Sequence, residues 1–261
     1  MTTSTRYLEI AERLALELVD CPPGTRVASE PELAGRFGVG RAAARSALQE
    51  LERRLLVRRV QGAGTFVNRR IDYVISRNRP PSWHATVAAA GATPRSQVKS
   101  VEQAPLPAER ATQLDLPAGI PAHRIVRNFF IDDLLASWTE EWVPVDVAPN
   151  LDLALHTVES VDLVLRQMGR VRPVRAWCRV SFDIPPPEAL AGLRLDATVA
   201  AWQVDSVSRD GETGRGVLAS TAWTRADAVR VVVELQDTWP AAAEGRQSGA
   251  VAEPGRAGES R

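Results

Sequence analysis

The chain has only two cysteines, Cys21 and Cys178, and three histidines in 261 residues. Two cysteines so far apart in sequence make neither a metal knuckle nor a disulfide framework, and they fit a reduced, cytoplasmic setting. His84, His123 and His156 lack metal-ligand spacing, so no metal and no cofactor is expected. The chain shows neither a Gly-rich phosphate loop nor a nucleophile elbow, which removes the common nucleotide-binding and hydrolase signatures. Long apolar runs are missing too. The opening "MTTSTRYLEIAERLALEL" mixes Glu and Arg into apolar positions and reads as neither a signal peptide nor a membrane span.

Net charge is absent as well, because 32 basic residues balance 32 acidic ones. That average conceals an asymmetry. Residues 1–70 carry a net +4, and residues 36–70 carry +7, with nine Arg against Glu50 and Glu52. A local basic patch on a neutral chain suits a polyanion partner for one region, and a solvated charged face is the plain alternative. The length predicts two domains.

Within the basic region the pattern is more specific. Apolar residues from Tyr7 to Val19 recur at helical spacing until "CPPGTRV" stops them. Ser29 with Glu32 forms a capping box that opens a short helix through Phe37. After "GVG", a third helix from Arg41 to Arg53 turns Ala44, Leu48 and Leu51 inward and places Arg41 and Arg45 together on another face. "LLVRRVQGAGTFV" then reads as a hairpin turning at Gln61 to Gly64. Three short helices and a hairpin make a winged helix-turn-helix, with the third helix as major-groove reader. Arginines near the start of that helix can pair with guanine or phosphate, and Ala42, Ala43, Ser46 and Ala47 are small enough to let it enter the groove. Gly62 and Gly64 let the wing backbone approach phosphates, with Arg58 and Arg59 adding charge.

Residues 7–67 resemble the DNA-binding domain of the GntR family of bacterial transcriptional regulators, through "YLEIAERL", "PPGTRVASEPELAGRFGVGR", "ARSALQELERRLLV" and "RRVQGAGTFV". That resemblance implies DNA contacts from Ser29, Arg41, Arg45, Gly64 and Thr65. Together with Ser46, Arg58, Gln61 and Gly62 they form the expected DNA-binding set. Pro31, Gly40, Ala42 and Ala43 stand where the family often carries donors, which predicts an unusual operator and a flatter salt dependence.

Residues 68–82, "NRRIDYVISRNRPPS", start basic and end in a Pro pair, as a connector would, and the expected linker is 70–82. Beyond it, "SWHATVAAAG", "PAERATQLDL", "DLVLRQMG" and "PPPEALAGL" read as helices. "AHRIVRNFFID", "ASWTEEWVPV", "VRAWCRVSFDI", "ATVAAWQVDSVSRD" and "RGVLASTAWTR" read as strands, predicting an α+β domain around one mainly antiparallel sheet over 83–237. Residues 238–261 have little to bury and are expected to be a disordered tail. "IDDLLASWTEEW" reads as a hairpin whose Asp132, Asp133, Glu140 and Glu141 form a solvated charged tip rather than an acid-base pair, and the chain is read as no enzyme.

Roughly residues 70–235 resemble the chorismate-lyase-like UTRA domain of the family's HutC branch, through "AGATPRS", "LPAGIPAHRIVR", "EEWVP", "PPPEALAGL" and "WTRAD" in order. "TRYLEIAERL", "IDYVIS" and "WTRADAV" look most like the phosphonate-utilisation repressors. The resemblance implies a homodimeric repressor that binds a pseudo-palindromic operator in double-stranded DNA and answers to a small, anionic effector, with no membrane partner. The effector set it implies is Trp83, His84, Arg127, Thr139, Trp223 and Arg225, with Phe129 in place of a family Arg. Arg127 on a strand equally fits a structural ion pair. The five tryptophans from Trp138 to Trp223 predict core packing and a pocket more aromatic than a sugar-phosphate site. Two other functions stay open: an enzyme of the chorismate-lyase-like fold, and a DNA-binding protein with no ligand.

Overall fold

The computed structural model describes residues 3–60, 62–76 and 82–234, with side chains described from residue 6 onward. Gln61, residues 77–81 of the expected connector and the expected tail at 238–261 lie outside the described residues.

The N-terminal unit has three helices, α1 (Thr3–Leu18), α2 (Glu30–Phe37) and α3 (Arg41–Arg53). They close on Ala11, Leu14, Leu33, Ala44, Leu48 and Leu51, which are at most 3% exposed. Ser29 precedes α2, and its N–H and hydroxyl both donate to the Glu32 carboxylate, at 2.6 and 2.7 Å. These bonds hold Glu32 below the usual carboxylate range, the backbone N–H acting most strongly. Gly38 ends α2 at φ 60°, the left-handed conformation that lets the chain turn sharply into α3. The expected hairpin is β2 (Val57–Val60) with β3 (Gly64–Val67), and a two-residue strand, β1 (Arg26–Val27), adds to the far side of β3. So short a strand has no periodicity to read.

The second domain is a six-stranded antiparallel sheet. Its strands are β5 (Pro94–Pro105), β6 (Pro121–Ile131), β7 (Leu134–Pro144), β8 (Pro173–Asp183), β9 (Ala201–Asp210) and β10 (Gly216–Thr224), in the order β5-β6-β7-β10-β9-β8. Helices α5 (Ala108–Leu114) and α8 (Pro187–Leu193) cover one face, over Trp138, Trp142 and Trp223. A side chain at Gly192 would reach within 2.2 Å of Trp138 Cδ1, so only glycine lets α8 lie so close. Helices α4 (Trp83–Ala89), α6 (Leu151–Ala154) and α7 (Val161–Gln167) belong to the opposite face.

The expected linker at 70–82 needs correction, because Ile71–Ile75 is a strand, β4, paired in parallel with β11 (Val229–Val233). "IDYVI" is a β-branched run with an apolar partner far along the chain, so its pairing overrides the basic residues and prolines around it. Just before β4, Asn68 donates to the carbonyls of Leu55 (3.1 Å) and Asp227 (2.7 Å), tying the winged unit to the second domain.

At the end of α3 the Glu50 carboxylate accepts from Arg53 (2.7 Å) and Arg54 (2.6 Å), which hold it down at about 2, Arg53 contributing most. A depressed folded value means that this contribution is complete above the usual 4.5 and is lost as pH falls towards about 2. We therefore expect Glu50→Gln to be less stable than wild type near neutral pH. The gap between their urea midpoints should narrow steadily across that acid window.

Candidate functional site

Two surfaces hold the residues singled out from the sequence. On the winged unit, α3 buries Ala44, Ala47, Leu48 and Leu51 and leaves Arg41, Ala42, Arg45 and Gln49 exposed. Arg41 has no bonding partner among the described residues. Arg45 lies on the same face one turn later, its Nε 3.1 Å from the Glu30 carboxylate at the start of α2, with 60% of its side chain exposed. Ser46 is half-buried beside it. In the wing, Gly62 (φ 77°) and Gly64 (φ 124°) occupy backbone conformations that favour glycine, and Arg26 Nε lies 3.4 Å from where a Gly64 side chain would begin. Thr65 pairs between Arg59 and Val27, and Arg58 pairs with Phe66 through its backbone while its side chain has no bonding partner among the described residues. Ser29 has another occupation, since its hydroxyl is committed to Glu32.

The second surface is a cavity of about 90 Å³ on the sheet face under α4 and α7. Because strand side chains alternate, β7 turns Ser137, Thr139 and Glu141 into it, β9 turns Ser206 and Ser208, and β10 turns Leu218, Ser220, Ala222 and Thr224. Registry places Arg175, Ser208 and Leu218 in one row, and Ser206, Ser220 and Glu141 in the next. The walls are Trp83 and His84 from α4, Phe129 from β6 and Tyr73 from β4. Trp83 donates to the Phe130 carbonyl at 3.1 Å and stacks at a tilt 5.5 Å from Phe129. His84 bonds the Glu159 carboxylate at 3.0 Å.

Arg127 lines this cavity and is also a structural ion-pair member. Its Nε and Nη2 meet the two oxygens of Glu141 at 2.7 and 2.6 Å, both side chains less than a tenth exposed, and its Nη1 donates to the Glu159 carbonyl at 2.7 Å. The guanidinium edge suited to a carboxylate is therefore taken.

Trp83, His84, Arg127 and Thr139 thus come together, while two expected members do not. Trp223 points to the opposite face, in the core with Val126, Trp138 and Leu193, because it follows Ala222 by one residue in a strand. Arg225 lies past the end of β10 and forms a fork with Asp227 at 2.9 and 2.6 Å, the residue whose carbonyl Asn68 holds. Nor are Glu140 and Glu141 a solvated hairpin tip. The tip is at Asp132 and Asp133, and both glutamates sit mid-strand: Glu141 beneath Arg127, and Glu140 on the other face bonded to Arg124 at 2.6 Å. The cavity floor is rich in hydroxyls and its aromatic rings are Tyr73, Trp83 and Phe129 in the walls, since Trp138, Trp142 and Trp223 pack into the other face. Sequence reasoning missed Tyr73, Glu141, Arg175, Ser206, Ser208 and Ser220. The hydroxyls at every second position of "VDSVS" carried the signal for Ser206 and Ser208.

Residues 6–67 match the bacterial regulatory proteins of the gntR family, and residues 89–230, over half the chain, match the UTRA domain. The chain belongs to the GntR family. This GntR protein is 27% identical over 214 residues to the HTH-type transcriptional regulator GgaR of Escherichia coli K12, covering 81% of this chain and 82% of GgaR. It is 30% identical over 234 residues to an uncharacterized HTH-type transcriptional regulator of Rhizobium meliloti, covering 87% of this chain and 94% of that one. The crystal structure of PhnF from Mycobacterium smegmatis shares the fold, with a TM-score of 0.62 at 20% identity over 88% of this chain and 100% of PhnF. The GntR chain is a DNA-binding transcriptional regulator with a C-terminal domain of the kind that binds small-molecule effectors. No described helix is long and apolar enough to cross a membrane.

Breaking one half of the buried pair leaves an uncompensated charge, so Arg127→Met should cost about 3–5 kcal/mol in urea unfolding. Arg127→Met with Glu141→Leu should recover most of that loss, because the charge is removed together with its partner.

Proposed function

We propose that this regulator is a cytoplasmic homodimer that represses transcription from a pseudo-palindromic operator and is released by a small anionic effector held in the hydroxyl-lined cavity. The observation that carries this reading is the exposed pair Arg41 and Arg45 on a helix whose intervening side chains are small. In the major groove both arginines reach base edges or phosphates, and Arg45 exchanges Glu30 for DNA. Ser46 lies against the same groove. Arg58 and the Gly62, Gly64 and Thr65 backbone of the wing lie along the phosphates, and Ser29 contributes through its place at the start of α2 rather than through a free hydroxyl. Half-site centres lie about 10 base pairs apart, one helical turn.

The cavity binds its effector without chemical turnover. Its carboxylates are each tied to an arginine, Glu141 to Arg127 and Asp162 to Arg166, which leaves no free acid-base pair. Because equal affinity for two arrangements shifts nothing, the effector must bind more tightly to the dimer geometry in which the wings no longer match the operator.

Selection from a random double-stranded DNA library near physiological salt tests the DNA half of this reading. Wild type should enrich a two-fold symmetric site that the Arg41→Ala, Arg45→Ala double variant does not. Enrichment of the same site by the double variant would overturn the assignment of these arginines. With donors missing at Pro31, Gly40, Ala42 and Ala43, the salt slope should correspond to few phosphate contacts.

A further inference from the structure

The charges around the cavity do not cancel. Glu141 is matched by Arg127, Asp162 by Arg166, and His84 by Glu159. Arg175, on β8, is the remaining cation lining the cavity and faces no carboxylate among the described residues. Its Nε is buried and has no partner, and its Nη2 makes a single long bond, 3.3 Å, to the Tyr73 hydroxyl. An unmet buried donor is costly, and of the buried donors without a partner Arg175 Nε belongs to a residue that lines the cavity, where an acceptor can be supplied.

Arg127 shows, a few strands away, how this chemistry is completed. It offers the Nε and Nη2 edge to Glu141, whereas on Arg175 the same edge carries only the Nη2 bond to the Tyr73 hydroxyl and its Nε is unmet. Ser208, 2% exposed, stands opposite Arg175 in the register, and Thr139, 6% exposed, opens into the same space. No bond from either side chain is recorded among the described residues, and each hydroxyl can donate or accept.

We propose that Arg175, not Arg127, takes the effector's acid group, and that the effector is a monoanionic hydroxy-carboxylic acid whose carboxylate displaces the Tyr73 hydroxyl while its own hydroxyls pair with the serines of the floor. A single unmatched cation neutralises a single negative charge. The second charge of a phosphate monoester would lie in a cavity whose other cations are already matched, with the Glu141 carboxylate beside it, and an unpaired buried charge is expensive. A planar carboxylate fits the guanidinium fork at two points. This inference rests on the reading of the cavity as the effector site.

The test uses matched pairs on the full-length protein: D-glycerate against glycerol 3-phosphate, and D-glucuronate against glucose 6-phosphate, with glycerol and glucose as neutral controls. Calorimetric titration and thermal shift should find the carboxylate preferred within a pair. Arg175→Gln should weaken it about tenfold or more, as loss of a charged hydrogen-bonding partner does. Arg175→Lys should recover part of the affinity, since it keeps the charge but loses the fork. Tyr73→Phe, which removes the competing hydroxyl, should bind as well as wild type or better. Preference for the phosphate member, undiminished binding by Arg175→Gln, or no binding by any of the acids overturns the proposal. DNA selection with Arg175→Gln keeps the two readings separable. A symmetric site that is still enriched shows a folded regulator whose effector assignment alone is at issue, whereas loss of the site with wild type too is a failure of the operator reading.

Discussion

In the six-stranded sheet successive side chains leave on opposite faces, so a strand such as β7 must serve two environments at once. Trp138, Glu140 and Trp142 go one way, and Ser137, Thr139 and Glu141 go the other. The first face excludes water with aromatic bulk under α5 and α8. The second is apolar where α6 and α7 pack over Ile125, Val143 and Leu218, and polar where the cavity leaves it incompletely covered. A shift of one residue in register would bury the hydroxyls in the tryptophan layer and put the tryptophans into the cavity, so the apolar face fixes the chemistry of the polar one. The Arg127–Glu141 pair spans neighbouring strands of that polar face, and its cost in desolvation is met by two short charged bonds and a third to the Glu159 carbonyl.

The junction between the two domains is made of backbone carbonyls rather than of apolar surface. Asn68 holds Leu55, which sits at φ 60° where the chain leaves α3, and also holds Asp227, which Arg225 clamps from two residues away. Arg69 reaches the carbonyl of Ala90, just beyond the end of α4, at 2.6 Å, and Arg70 reaches that of Val229 at 3.1 Å. Three consecutive side chains therefore bind the connector to the effector domain. The basic run that looked like a solvated linker, or an extension of the DNA-binding charge, is spent on carbonyl acceptors.

Much of this was legible in the sequence because it rests on local rules. The boundaries of α3, the Ser29 and Glu32 cap and the glycines of the wing follow from capping, periodicity and φ preference, and the structure repeats them. The α+β class and the antiparallel sheet follow from the spacing of the strands. The failures share a cause, which is dependence on a distant partner. β4 exists because β11, 158 residues further along from Ile71 to Val229, receives it. Whether Trp223 faces the cavity depends on a parity set by the register with β7 and β9. Glu141 reads as hairpin charge until Arg127 is placed beside it, and Arg175 reads as one arginine among many until the carboxylates around it are seen to be matched elsewhere.

Tyr73 joins these threads. It lines the cavity and accepts from Arg175, yet it belongs to β4, which begins three residues after Asn68. A strand carries displacement along its length poorly when both edges are free, and well when it is paired. Here β4 is paired over all five residues with β11, and β11 begins two residues after Asp227, the second acceptor of Asn68. The contact with Arg175 is made from the centre of β4 and the contact with Leu55 from Asn68, three residues before the strand begins. An effector bound as proposed at Arg175 would change what holds Tyr73, and could bias the winged unit only by the difference in its affinity for the competing arrangements.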